Sequence, residues 1–359
     1  MTDTSAASGL TVQQWDAKYY REYLSENRFK ASMGTTSNSI IQVKEDLTKK
    51  SGDKITYALV NKLSGAGVTG SSTLEGNEES MDTRSHLVTV DKLRNAVRVS
   101  DMEEQKSAIP LRNAAREMLK DWSMENLRDA VISAMGSKNG TAYGSVSEAN
   151  KDIWSVDNAD RVLFGALKSN YNVDHSVALA TIDTTADKFD AAALTLMKRI
   201  ALTADPKIRP IRTTEDERWY IVYANSLSFR DLKADSVITA AQREAMARGK
   251  NNPLFAGGDI VYDGCIVKEI EDIPSVGAVG GSSSTVGSVY LCGAQAIGLA
   301  WAKRTTSKTE EFDYGDKHGV AIEEIRAVEK LTFGSGSSDT ADLKDHGMVT
   351  GYFSATADA

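Results

Sequence analysis

The chain has 359 residues, 42 of them basic and 50 acidic, for a formal net charge of −8; 41% are hydrophobic and 26% charged. This is the composition of a soluble globular protein, long enough for two or three domains and a sizeable core. The acidic balance excludes a dedicated electrostatic binder of nucleic acid, and no run reaches the length of a bilayer span.

The first residues, MTDTSAASGLTVQQW, show no basic segment followed by an apolar core, so no signal peptide is read. Residues 11–30 read as a helix with Trp15, Tyr19, Tyr20, Tyr23 and Leu24 on adjoining turns, an aromatic stripe suited to packing rather than to a cofactor. Lys54–Val60 (KITYALV) alternates as a strand, and His86–Ser100 is strand-like again. The long insert between them, Gly65–Ser85, has only Val68, Leu74 and Met81 to bury. Pro110–Gly136 carries the strongest helical signal, with Pro in the first turn and Gly at the stop. At about 1.5 Å per residue it spans roughly 40 Å. Leu111, Ala115, Met118 and Trp122 form one apolar stripe, while Leu127, Val131 and Ala134 face nearly the opposite way. Such a helix bridges two packing layers, as a spine would.

Ser137 to about Ala180 is mixed and loop-rich. Thr185–Thr203 predicts a second helix, Arg218–Ala224 a strand, and SFRDLKAD a capped helix. Gly258–Ile270 predicts a strand pair bending at Gly264, followed by a flexible VGGSSSTVGS. SVYLCGAQAIGLAWAKR (Ser288–Arg304) reads as strand into helix, and VAIEEIRAVEKLTF and GMVTGYFSAT as strands. Helices and strands mix without a regular βαβ repeat, so the class is α+β.

Candidate chemistry is thin. Gly65, Gly67 and Gly70 follow a strand in G-x-G-x-x-G spacing, with Asp91 about twenty residues on, the outline of a dinucleotide-binding enzyme. That mechanism requires a helix starting at the third glycine, and SSTLEGNEESMDTRS lacks the apolar periodicity to make one. His86, His175, His318 and His346 stand apart from one another and from the cysteines, so no metal is expected. Asp339–Asp345 (DTADLKD) lacks calcium-loop spacing and reads as a solvated acidic turn. Glu78 with Glu79, and Glu323 with Glu324, read as solvated faces rather than acid–base pairs. There is no G-x-S-x-G and no P-loop. Cys265 and Cys292 read as buried, unpaired thiols of a chain made in a reducing cytoplasm. No catalytic residue, metal or cofactor is expected.

Three stretches carry a resemblance: NSIIQVKEDLTKKSGDKITYALVNKLSGAGVTGSSTLEGNEE, RGKNNPLFAGGDIVYDGCIVKEIEDIP and DYGDKHGVAIEEIRAVEKLTF. Together they span residues 38–333 and resemble, in order, the major capsid proteins of tailed bacteriophages of the phage N4 type. The resemblance implies the Hong Kong 97 capsid fold: an N-terminal arm at 1–53 and an extended hairpin loop at 54–100. It further implies a peripheral domain at 101–204 and 309–339 with its spine helix at 109–136, and an axial domain at 205–308 and 340–359. The implied function is self-assembly into hexamers and pentamers of an icosahedral shell enclosing double-stranded DNA. The same fold also serves cellular nanocompartment shells, the alternative within this class. Expected partners are other copies, portal and scaffolding proteins, a decoration protein, and packaged DNA touched weakly and without sequence preference. No membrane is expected; the chain belongs in the virion, and in host cytoplasm during assembly. The residues expected at contacts between subunits are Trp15, Tyr19 and Tyr23 on the arm, and Leu74, Glu75, Glu78 and Glu79 at the acidic tip of the loop. Arg94 and Arg98 on its basic second strand complete the set, tip and strand suiting complementary pairing between copies.

Overall fold

The structure, a computed structural model, describes residues 27–48, 52–63, 65–71, 73–212, 217–246, 259–335 and 340–358. β1 (Met33–Gly34) and β2 (Ile41–Lys44) come first, then β3 (Lys54–Val60), β4 (Thr83–Thr89) and β5 (Asp91–Ser100). Helices α1 (Asp101–Lys106) and α2 (Leu111–Gly136) follow, then α3 (Glu148–Asp157), β6 (Val162–Phe164), α4 (His175–Ala180) and α5 (Ala191–Thr203). Next are β7 (Ile211–Arg212), β8 (Arg218–Ala224), α6 (Ser226–Ala234), α7 (Ser236–Met246), β9 (Ile260–Tyr262) and β10 (Cys265–Glu269). β11 (Val286–Cys292), β12 (Ile297–Phe312), β13 (Lys317–Lys330), β14 (Thr332–Ser335), β15 (Ala341–Asp345) and β16 (Met348–Ser354) close the chain. The architecture is α+β, as expected.

By compactness the described residues fall into two units: those within 92–127 and 303–325 form one, and those within 27–91, 128–302 and 326–359 the other. The four segments that the resemblance implies do not coincide with these two units.

The second, larger unit is built on a sheet ordered β6-β16-β11-β8-β10-β9, with β7 paired to β8. β8 and β10 run parallel, and β11 lies antiparallel to both β8 and β16. Every residue of β11 and β16 is buried, the mark of strands covered on both faces. Helix α5 covers one face. Its Leu194, Met197 and Ala201 recur at helical spacing and pack with Val222, Leu291, Val349 and Phe353. It begins at Ala191 rather than Thr185, because the Asp190 carboxylate accepts from the Ala193 N–H at 2.7 Å and sets the N-cap there. Asn225 caps α6 the same way, accepting from Ser228 N at 2.9 Å. Asp263 and Gly264, both at positive φ, make the two-residue turn between β9 and β10 that an Asp-Gly pair favours.

One element differs in kind from its reading. Ser288–Arg304 is strand, turn and strand: β11 ends at Cys292, Gln295 takes a φ of 58°, and β12 begins at Ile297. AIGLAWA is apolar throughout because β12 sits inside its sheet, and a short apolar run does not reveal its own period. Gly298 marks the strand: a Cβ there would stand 2.9 Å from the Tyr57 ring.

The first unit contains β5, the outer half of β12, the first part of β13, and α2 as far as Leu127. The five-stranded sheet runs β1-β2-β12-β13-β5, so β5 is an edge strand. Leu119 packs on Val320 and Ile322, with Trp122 half-buried beside them. The stripe expected through Met118 is therefore shifted: Ala115, Leu119 and Ser123 are buried, and Met118 is exposed. Within the second unit, Val131 and Ala134 are buried as expected, joined by Ile132 and Met135.

Candidate assembly surfaces

The strand-like run His86–Ser100 divides at Val90. Among the described residues β4 pairs only with β3, from Val60 opposite Thr83 to Lys54 opposite Thr89, while β5 joins the sheet edge beside β13. The base of the β3–β4 hairpin is firmly held in the second unit. Ile55, Tyr57 and Val88 are buried with Ala300 and Leu331, as the strand alternation requires. His86 meets the Thr332 carbonyl through Nδ1 at 3.0 Å and Glu329 through Nε2 at 3.3 Å. Lys44 lies 4.4 Å from the centre of the Tyr57 ring and donates to the Thr56 carbonyl.

Beyond that base the insert is open. Leu63, Leu74 and Met81 are 61%, 62% and 64% exposed. Its polar groups satisfy one another: the Glu79 carboxylate accepts from Gly65 N at 2.7 Å, and Glu78 from Gly76 N at 2.8 Å. Asp82 accepts from Arg84 and Asn61, and Leu74 O accepts from Asn77 N at 2.9 Å. Glu75 has no such bond among the described residues. Among the described residues no helix follows Gly70, so the three glycines lack the helix terminus that would face a pyrophosphate.

Of the expected contact residues, Leu74, Glu75, Glu78 and Glu79 thus lie together on the exposed loop. Arg94 and Arg98 lie on β5, in another sheet and in the first unit. Trp15, Tyr19 and Tyr23 fall outside the described residues. The face of β5 that carries Arg94 and Arg98 lines a groove of about 590 Å³ with Ala96, Phe312, Gly319 and Ala321. Glu323, at its end, is buried rather than solvated. It pairs with Lys92 at 3.2 Å, Lys308 at 2.8 Å and Lys303, and those hydrogen bonds hold its carboxyl down at about 2. Glu324 is buried too, accepting from Ser123 and Thr305 on the opposite face.

The second unit holds a buried charge cluster that the sequence did not announce. Asp345, read as part of a solvated turn, is 1% exposed. It accepts from Lys330 Nζ at 2.7 Å and from Trp154 Nε1 at 3.3 Å. Lys330 also donates to Ser137 O, and Arg161 to Asp345 O. Lys138 lies over the Trp154 ring at 3.2 Å, its amine held well below its ordinary value by burial and by the charge of Lys330. His175 is nested against Tyr143, Trp154, Phe164 and Tyr352, and burial pushes it down to about 3. These contacts tie the end of α2 to α3, β13 and β15; they brace the fold. Both cysteines are free and buried, as expected, and burial pushes the Cys265 thiol up to about 12. No group of His, Cys, Asp and Glu among the described residues has the geometry to hold a metal ion. No helix among them is long and apolar enough to cross a membrane.

Comparison with known proteins agrees with this arrangement. The family model described as phage capsid protein matches residues 3–356. The chain is 30% identical to the major capsid protein of Pseudomonas phage KPP25 over 368 residues, 96% of each chain. Among solved structures, the capsid asymmetric unit of cyanophage Pam1 is 33% identical, with a TM-score of 0.89 over the whole of both chains. The capsid of Ralstonia phage GP4, 21% identical, shares the fold over the whole of both chains with a TM-score of 0.77. The chain therefore belongs to the phage capsid protein family: it is a major capsid protein, a structural component of the virion shell and not an enzyme.

Proposed function

We propose that copies of this chain form hexamers and pentamers that close into an icosahedral shell around double-stranded DNA, each copy laying its hairpin loop across a neighbour. The observation that carries this is the loop itself. Its base is locked by buried side chains, yet from Asn61 to Asp82 it buries no large apolar side chain in its own unit. An exposed apolar residue in a segment that cannot form a core gains stability from a surface outside its own chain, and in a shell built of this protein that surface is another copy. In that shell residues 1–53 serve as the arm and 54–100 as the extended loop. Residues 101–204 with 309–339 form the peripheral part, and 205–308 with 340–359 the axial part. Portal and scaffolding proteins and a decoration protein are the further partners of this reading. Contact with DNA is weak and independent of sequence, in keeping with a net charge of −8.

The test is to replace Asn61–Asp82 by Asn-Gly. Val60 and Thr83 are directly paired, so a two-residue turn can close the hairpin without moving either strand. The subunit should fold with nearly native thermal stability and form no closed shells. Normal shells from the shortened chain, seen by microscopy and sedimentation, would remove the loop from assembly.

A further inference from the structure

We propose that the groove on the outer face of β5, β12 and β13 receives the tip of another copy's hairpin loop. Leu74 lies on its Ala96–Phe312 floor, and the Glu75 carboxylate meets the guanidinium groups of Arg94 and Arg98. This rests on the reading that the loop crosses onto a neighbour, and it names the landing site.

The argument is one of unspent groups on both sides. Between Leu63 and Thr83 the loop carries four acidic residues and no basic one. Three of the four are engaged within the loop and at its base: Glu78 and Glu79 cap backbone N–H groups, and Asp82 holds Arg84 and Asn61. Only Glu75 has no hydrogen bond or ion pair among the described residues, and its neighbour Leu74 is 62% exposed. The tip therefore presents one aliphatic side chain beside one uncommitted carboxylate.

The groove presents the converse. Lys92 and Lys308 are committed to Glu323. Arg94 and Arg98 are exposed and form no hydrogen bond or ion pair among the described residues. Arg98 only lends its field to Asp313 at the nearby turn. Residues 94, 96 and 98 share one face of a strand, so the two arginines flank Ala96. Beside it the Phe312 ring is 38% exposed and lies against Gly319, where any Cβ would stand 2.9 Å from the ring. An apolar floor with a guanidinium at each end fits a Leu-Glu pair. Glu310 also lines the groove, and it repels a carboxylate placed on the wrong side. Charge pairing of this kind sets register between copies more than raw affinity.

The experiment uses the full chain in a shell-assembly assay at low salt, where screening is least. Glu75→Arg alone, and Arg94→Glu with Arg98→Glu, should each reduce shell yield at least tenfold while leaving the melting temperature of the subunit unchanged. All three changes in one chain should restore shells, because every copy supplies both a tip and a groove. Should a charge variant fail to fold, a cysteine pair decides. Chains with Leu74→Cys co-assembled with chains carrying Ala96→Cys should yield a covalent dimer on a non-reducing gel. Absence of that dimer from assembled shells overturns the landing site. So does native assembly of both charge variants, or failure of the triple exchange to restore shells. If the loop-shortened chain fails to assemble while these variants assemble normally, the groove assignment falls and the loop reading stands. If the shortened chain assembles normally, both fall.

Discussion

Lys330 and Asp345 stand 2.7 Å apart, each about 1% exposed at the side chain. The attraction between two buried charges is largely consumed by taking both out of water, so the pair adds little over an apolar replacement. Breaking it is different. Asp345→Asn leaves a buried ammonium unbalanced beside Lys138, and is expected to cost about 3–5 kcal/mol in denaturant unfolding. Lys330→Met combined with Asp345→Leu should recover much of that loss; a double variant as unstable as Asp345→Asn would show that the hydrogen bonds from Trp154 Nε1 and to Ser137 O, which neither apolar side chain can make, and not the charges, hold the site. His175 makes a second case at the same place. Its ring nitrogens find no partner among the described residues, and burial first, then Lys138 and Lys151, depress it from 6.5 to about 3. The unfolded chain takes up a proton below pH 6.5 while the folded chain resists until about 3. Acidification across that window therefore draws the equilibrium toward unfolding, and the full contribution is present only above it. His175→Phe, matched to a nest of four aromatic rings, should melt progressively higher than the parent between pH 7 and pH 4.5. A gap that stays constant with pH would show that His175 is not buried in its neutral form.

At the scale of elements, α2 shows what a sequence reveals and what it withholds. Its limits were legible, because Pro110 and Gly136 act locally on backbone geometry. The buried face was legible only to within about one position, since Leu111, Met118 and Leu119 offer two overlapping apolar stripes. What decides between them is Val320 and Ile322, two hundred residues away in sequence. Leu119→Ala should therefore cost about 2–4 kcal/mol, through lost burial and the cavity left behind, while Met118→Ala should stay within about 0.5 kcal/mol, as exposed positions do. Equal losses from the two would return the helix to the stripe first read. The same asymmetry runs through the rest of the fold. KITYALV and RWYIVYA were read to the residue because alternation is local, whereas AIGLAWA was misread because a central strand hides its period. The solvated reading of Glu323, Glu324 and Asp345 failed for a related reason. A carboxylate flanked by polar residues gives no sign of the lysines, Lys303, Lys308 and Lys330, that cover it from other strands. The loop was legible by its poverty, since a stretch with three sizeable apolar residues cannot make a core. The groove was not, because β5 meets the β12–β13 hairpin only by long-range pairing.

For the whole molecule, the question is what holds shells of this chain together, and the two cysteines bear on it directly. Cys265 lies opposite Tyr220 on one side of β8, and Cys292 opposite Ile221 on the other. Two inter-strand steps separate them by about 10 Å, beyond the roughly 7 Å across which a disulfide can close without moving backbone. Both are free, and neither thiol reaches the surface where another copy could meet it. Burial also disfavours the thiolate, the form that exchanges, holding Cys265 up at about 12 and Cys292 higher still. A shell of this chain is therefore expected to hold without disulfides, and on the proposed reading it is sustained by apolar and charge contacts repeated over many copies. Particles incubated in excess dithiothreitol should keep their sedimentation, appearance and melting temperature. The same particles should loosen as salt rises, to the extent that pairs such as Glu75 with Arg94 and Arg98 hold them. Particles that come apart in reductant at constant salt would place a disulfide between copies, and would require β10 or β11 to open during assembly.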